Sequence, residues 1–140
     1  MFERLIRQLY LQQSGKERSS PNDWVKPESI KYDAERGVLT IESLLLGVSI
    51  CNVANTGSMD GLMDYGHNVI LIDHFDIDRL SVGDIVAFQV YTNLVLHRIV
   101  KIGDDNQGRY YRTRGDNCID DDPYILRDEH IKQLCIGIIY

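Results

Sequence analysis

The sequence predicts a mainly β domain, a coiled antiparallel β-sheet or partial barrel with one or two short N-terminal helices. Three observations carry that expectation. The later runs 68–73, 84–90, 94–102, 109–114 and 134–140 are rich in β-branched or aromatic residues. Turn residues punctuate them: Ser81-Val82-Gly83-Asp84, Thr92-Asn93, Gly103 to Gly108 and Gly115-Asp116-Asn117. The chain has 140 residues, 44% of them hydrophobic and 26% charged, which suits a single folded body.

Taken in order, Phe2, Leu5, Ile6 and Leu9 recur at helical spacing and predict a short amphipathic helix over residues 2–12. Residues 14–23 (SGKERSSPND) are polar, contain Gly and Pro, and read as a surface loop or linker. Trp24 and Val25 follow and are placed to pin this N-terminal segment to the body. These readings divide the chain into an N-terminal helix and linker over 1–35 and a main domain over 36–140. Within the latter, Thr40 as N-cap and Gly47 as C′ residue favour a short helix over Thr40–Leu46. Val48, Ile50 and Val53 then alternate with polar neighbours as a strand does, until Asn55, Thr56 and Gly57 break the run.

Composition removes several function classes. Fifteen Lys and Arg against 21 Asp and Glu give a net charge of −6, the wrong sign for neutralising a phosphate backbone, so no nucleic acid partner is expected. Cys51, Cys118 and Cys135 are odd in number and lack CxxC spacing, so neither a disulfide framework nor a zinc ribbon is predicted. The most apolar stretch, Leu44–Val53, is far short of the roughly 20 residues of a membrane-spanning helix. The N-terminus lacks the cleavage pattern of a secretion signal. The expectation is a soluble, cytoplasmic protein with reduced thiols, no integral membrane segment, no cofactor and no bound metal.

Three positions have chemical potential, and each has an ordinary reading beside it. Ser58 follows Gly57 directly after a predicted strand, where a tight turn exposes a hydroxyl; most such serines only bond their own turn. His97 shares a strand face with Val95 and Ile99, where a histidine is more often a hydrogen-bonded core residue than a base. Asp116 opens the turn before the acidic run Asp120-Asp121-Asp122-Pro123, which reads first as a solvated loop. That run lacks the mid-loop Gly and terminal Glu of a calcium loop. His67, His74 and His130 lie among polar and acidic neighbours and are expected in solvent.

Order changes the weight of these segments. Gly57-Ser58-Met59 with the following turn and strand resembles the serine box of the signal peptidase I superfamily, which includes the self-cleaving SOS-repressor-like peptidases. Leu80–Phe88, with Gly83-Asp84, is similar to the next box. Leu96-His97-Arg98-Ile99-Val100 resembles the base-bearing strand, and Tyr111–Asn117, with Gly115-Asp116-Asn117, the final box. The resemblance runs from about Val48 to the C-terminus. Histidine at the base position, where many members have lysine, is similar to the Ser-His-Asp variety found in the endoplasmic-reticulum-type branch and in small soluble relatives.

The resemblance implies Ser58 as nucleophile, His97 as general base, and Asp122, before Pro123, as the acid. Asp116 would be a second, supporting carboxylate, and Asp121 the fallback acid. The Ser58 N–H and the Thr56 hydroxyl would hold the oxyanion. A peptide or protein substrate would bind as an extended strand beside Ser58, along Ile50, Asn52 and Ala54 and against Met59, with small side chains before the cleaved bond. The implied activity is a soluble serine endopeptidase trimming a leader or tail. The alternative is a catalytically inactive peptide-binding module on the same fold. An autoprocessing repressor is disfavoured by the histidine base and by the lack of a DNA-binding motif. The helix over 2–12 offers an apolar face for a partner protein. Two departures stand out: Gly61 occupies a place where the family usually has proline, and the sequence shows no membrane anchor.

Overall fold

The computed structural model describes residues 3–4, 19–42 and 47–140. A two-stranded antiparallel hairpin, β1 (Ile30–Asp33) and β2 (Val38–Ile41), precedes a six-stranded sheet. That sheet contains β3 (Val48–Asn52), β4 (Asn68–Ile72), β5 (Ile85–Val90), β6 (Asn93–Asp105), β7 (Gly108–Arg114) and β8 (Ile131–Ile139). Its order is β3-β4-β8-β5-β6-β7, every neighbouring pair is antiparallel, and the sheet is open, with β3 and β7 at its edges.

The later strands fall where alternation and turn residues predicted them, but the first half differs. Thr40 and Ile41 are strand, not helix: they pair with Lys31 and Ile30, and the Glu42 N–H donates to the Ser29 carbonyl. Two β-branched residues with strand partners prevail over the weak cap signal. The rest of that expected helix, residues 43–46, lies outside the described residues. Of the helix expected over 2–12, Glu3 and Arg4 are described, and both are helical. The remainder lies outside them.

β5 shows how the body is built. Its first four residues, Ile85 to Phe88, are all buried, because each face of this central strand enters an apolar cluster. Val86 and Phe88 join a cluster with Ile72, Leu80, Ile99, Tyr111, Leu126, Ile131 and Leu134. Ile85 and Ala87 face the other way, into a cluster with Met59, Met63, Val69, Leu71 and Cys135. The second cluster is therefore roofed by the segment carrying Ser58. Its packing fixes that segment on the sheet.

Residues 19–25 are tied down as the sequence suggested for Trp24. The Trp24 ring packs on the first cluster, edge-on to Phe75, with the Arg79 guanidinium 4.6 Å above it. Its indole N–H donates to the fully buried Asp84 carboxylate at 2.9 Å. Asn22 donates to the same carboxylate through its main-chain N–H (2.7 Å) and side-chain amide (3.2 Å), and Ser81 through its main-chain N–H (2.9 Å). A buried carboxylate that forms no ion pair among the described residues is tolerable only with such a set of donors. Asp84→Ala leaves them unpaired and is expected to lower unfolding stability by about 3 kcal/mol, read as a lower urea midpoint at unchanged slope.

Candidate active site

The site forms where the roof of the second cluster meets the start of β6. Met59 and Met63, 3% and 1% exposed, anchor the turn after Gly57, and Asp60 N–H to Gly57 O and Met63 N–H to Met59 O bonds close it. Gly61 takes φ +95°, which proline cannot adopt, so the proline that the resemblance implies at this place would not fit the turn. Ser58 leads this turn. His97 lies on β6 opposite Val86, buried like Ile99 on the same strand face, with its ring edge-on to Phe88.

Ser58 Oγ stands 3.0 Å from His97 Nε2, and His97 Nδ1 stands 2.8 Å from Asp122 Oδ2. A carboxylate only accepts, so Nδ1 carries a proton and donates it to Asp122. Nε2 of the neutral ring then presents its lone pair to the Ser58 hydroxyl, the tautomer a general base needs. Thr56 Oγ1 lies 3.2 Å from Ser58 Oγ and accepts the Ser58 N–H at 3.5 Å.

The structure separates the three aspartates. Asp122 meets the imidazole. Asp116, expected as a second carboxylate of the site, instead grips Arg98 through two bonds, Nε to Oδ1 at 2.8 Å and Nη2 to Oδ2 at 2.7 Å. This bidentate pairing raises the Arg98 pKa. Asp121 pairs with Arg114 at 3.5 Å. Thus the residue beside the expected base, Arg98, claims Asp116, and the loop carries Asp122 around to the ring.

A cleft of 610 Å³ opens beside Ser58 and His97. Its walls include Asn52, Ala54 and Met59 from the expected substrate-binding set. Ile50, also in that set, is 63% exposed and lies outside the cleft walls, on the edge strand β3 that borders them. Inward and outward positions on β3 are the reverse of the apolar pattern. Val48 and Ile50 face solvent, whereas Ser49 points in and accepts a hydrogen bond from Gln133, and Cys51 and Val53 pack on the second cluster. Sequence reasoning therefore missed Cys51 and Val53 as cleft residues, and also Leu94, Val95 and Leu96 of β6. Their signal was present in the apolar positions that flank Asn52 and His97.

Two strand edges border the cleft. β3 is a sheet edge, and β6 pairs with β7 only from Arg98 onward, so its residues 93–97 are bonded on the β5 side alone. Val53 exchanges main-chain bonds with the segment leading into β4, accepting from Gly66 N–H and donating to His67 O. Successive residues of an extended chain point these groups to opposite sides, so Asn52 and the Ala54 N–H face the free edge.

The Gly115-Asp116-Asn117 turn locks the serine turn from outside. Asn117 donates its main-chain N–H to Ser58 O and its side-chain amide to Gly57 O, both at 2.9 Å, and the Asp116 N–H meets Met59 Sδ at 3.2 Å. On the cleft rim, lost solvation first, then the adjacent Asp64 carboxylate, pushes the Asp60 carboxyl above the usual carboxylate range. Burial pushes the Cys135 thiol up, and all three cysteines are free. His74 and His130 are exposed as expected, but His67 is half-buried, edge-on to Tyr140, with Nδ1 accepting from the Asp64 N–H. Among the described residues no helix is long and apolar enough to cross a membrane.

No protein-family model matches the chain. Over 97 residues, 69% of its length, it is 28% identical to signal peptidase I W of Bacillus subtilis (strain 168). The match covers 50% of that relative, so the chain spans about half the length of the curated protein it matches. The similarity is a distant one, to a protein of the signal peptidase I type.

Proposed function

We propose that the chain is a serine endopeptidase that removes a leader or tail segment from a specific peptide or protein by a Ser/His/Asp mechanism. The observation that carries the reading is the continuous contact of Ser58 Oγ, His97 and Asp122 at 3.0 and 2.8 Å. Ser58 Oγ bonds to the scissile carbonyl carbon as His97 Nε2 takes the hydroxyl proton. The carbonyl oxygen becomes an oxyanion, to be held by the Thr56 hydroxyl and by the Ser58 N–H, which exchanges its long bond to Thr56 Oγ1 for the substrate oxygen. Its collapse breaks the C–N bond while the imidazolium returns the proton to the departing amine. Water, deprotonated by His97, then hydrolyses the acyl-serine and restores the hydroxyl. Asp122 keeps the ring in register and stabilises it while charged.

The edge of β3 supports the expected mode of substrate binding. Asn52 and Ala54 offer main-chain groups to an added strand, while Met59, Cys51 and Val53 form an apolar floor for its side chains. All of these groups lie within residues 36–140, the span we assign to the peptidase domain. Within residues 1–35, Asn22 and Trp24 dock on this domain at Asp84, and β1 pairs with β2. A fluorophosphonate probe, which bonds covalently to an activated serine, tests the reading directly. The wild type is expected to be labelled, and Ser58→Ala and His97→Ala are expected to be inert. Equal labelling of all three proteins would overturn the assignment. A wild type that is inert to the probe but binds extended peptides would leave only the peptide-binding alternative.

A further inference from the structure

Thr113 is a hydroxyl where packing alone would favour valine. It follows the buried Tyr111 by two residues on β7, pairs with the core residue Ile99, and has none of its surface exposed. Valine has the same shape, and burying a hydroxyl is costly unless the group is hydrogen-bonded. Among the described residues the Thr113 hydroxyl is bonded to one group, donating to Asp122 Oδ2 at 2.6 Å. Its main-chain carbonyl accepts the Asp122 N–H at 2.8 Å. Thr113 therefore clips Asp122 at both backbone and side chain, and it does so on the oxygen that also receives His97 Nδ1.

We infer that Thr113 is a positioning residue, acting through Asp122 to hold the imidazole of His97 in line with Ser58. Asp122 lies in the loop between β7 and β8, where no strand ladder fixes its side chain. Without the hydroxyl the backbone clip survives, but the carboxylate loses the donor that sets its rotation and is free to turn toward solvent, to which it is 14% exposed. The two donors converging on Oδ2, from His97 and Thr113, fix that oxygen in the plane of approach to the ring. The catalytic consequence rests on the peptidase reading. The hydrogen-bond consequence rests on geometry alone.

The test compares Thr113→Val, which keeps shape and removes the hydroxyl, with Thr113→Ser, which keeps the hydroxyl. In the fluorophosphonate reaction Thr113→Val is expected to lower the maximal labelling rate about tenfold with half-saturation unchanged, and Thr113→Ser to restore it to within about twofold. Proton NMR provides a readout independent of catalysis. The hydrogen-bonded His97 Nδ1 proton is expected as a protected downfield resonance in wild type and Thr113→Ser, lost to solvent exchange in Thr113→Val. A purely structural role would instead lower the unfolding midpoint of Thr113→Val and leave that resonance in place, overturning the inference. Wild-type labelling and resonance in Thr113→Val would overturn it too. Should Thr113→Val not fold, Thr113→Ala gives the same readouts. An unlabelled wild type with a resonance that depends on the Thr113 hydroxyl would remove the peptidase reading and sustain the positioning role.

Discussion

Asp122→Ala is expected to slow fluorophosphonate labelling of Ser58 by about 10³- to 10⁴-fold, the scale on which Ser-His-Asp peptidases lose rate when the acid is removed. In this chain the loss has two sources. The imidazole loses its Nδ1 acceptor at 2.8 Å, so the tautomer that bares Nε2 to Ser58 is no longer favoured. The positive charge that forms on the ring during attack also loses its counter-charge, in a place where His97 is 8% exposed and water compensates poorly. The neighbouring aspartates provide the controls. Asp121 pairs with Arg114, and Asp121→Ala is expected to leave the labelling rate within about twofold of wild type. Asp116→Ala releases the Arg98 guanidinium from its two bonds, so its effect is expected in the unfolding midpoint more than in the rate. A large rate loss in Asp116→Ala with little in Asp122→Ala would reassign the acid.

The contrast between these aspartates shows where sequence reading succeeds and where it ends. β5, β6 and β7 were legible because each buries a run or an alternating set of β-branched and aromatic residues between turn signals. The β1–β2 hairpin was not. It is short, Ile30, Tyr32 and Leu39 remain exposed, and charged residues interrupt its pattern. β3 was located correctly but turned over, because an edge strand can leave Val48 and Ile50 in solvent while Ser49 finds a partner inside. Ser58, His97 and Asp122 stood out through the order of the segments carrying them. Thr113 and Asn117 did not, since their roles exist only through contacts made in the fold, in Asn117's case with a turn about sixty residues away. A threonine in a strand looks like ordinary β-propensity until its hydroxyl is seen to have one partner.

Gly115→Ala is the second large effect, and it arises from a single methyl group. A Cβ on Gly115 would stand 2.4 Å from the Ser58 carbonyl oxygen, 2.8 Å from Cys118 Sγ and 3.1 Å from His97 Nε2. The sulfur can rotate away. The other two contacts are harder to relieve, because the Ser58 carbonyl is main chain already held by the Asn117 N–H, and the imidazole is held at both nitrogens. Relief must come from moving the turn after Gly115 outward, which pulls Asn117 off the serine turn, or from moving His97, which opens the 3.0 Å contact with Ser58 Oγ. Either shift spoils the alignment of nucleophile and base, and displacements on the order of 1 Å cost about 10²-fold in rate. Labelling of Gly115→Ala is therefore expected to fall at least about 10²-fold, with a lower unfolding midpoint. Cys118→Ser, which keeps a side chain of similar size at the least constrained of the three contacts, is expected to label at close to the wild-type rate. If Gly115→Ala labelled as fast as wild type, the turn would have room that these distances deny, and its place as a clamp on the nucleophile would be lost.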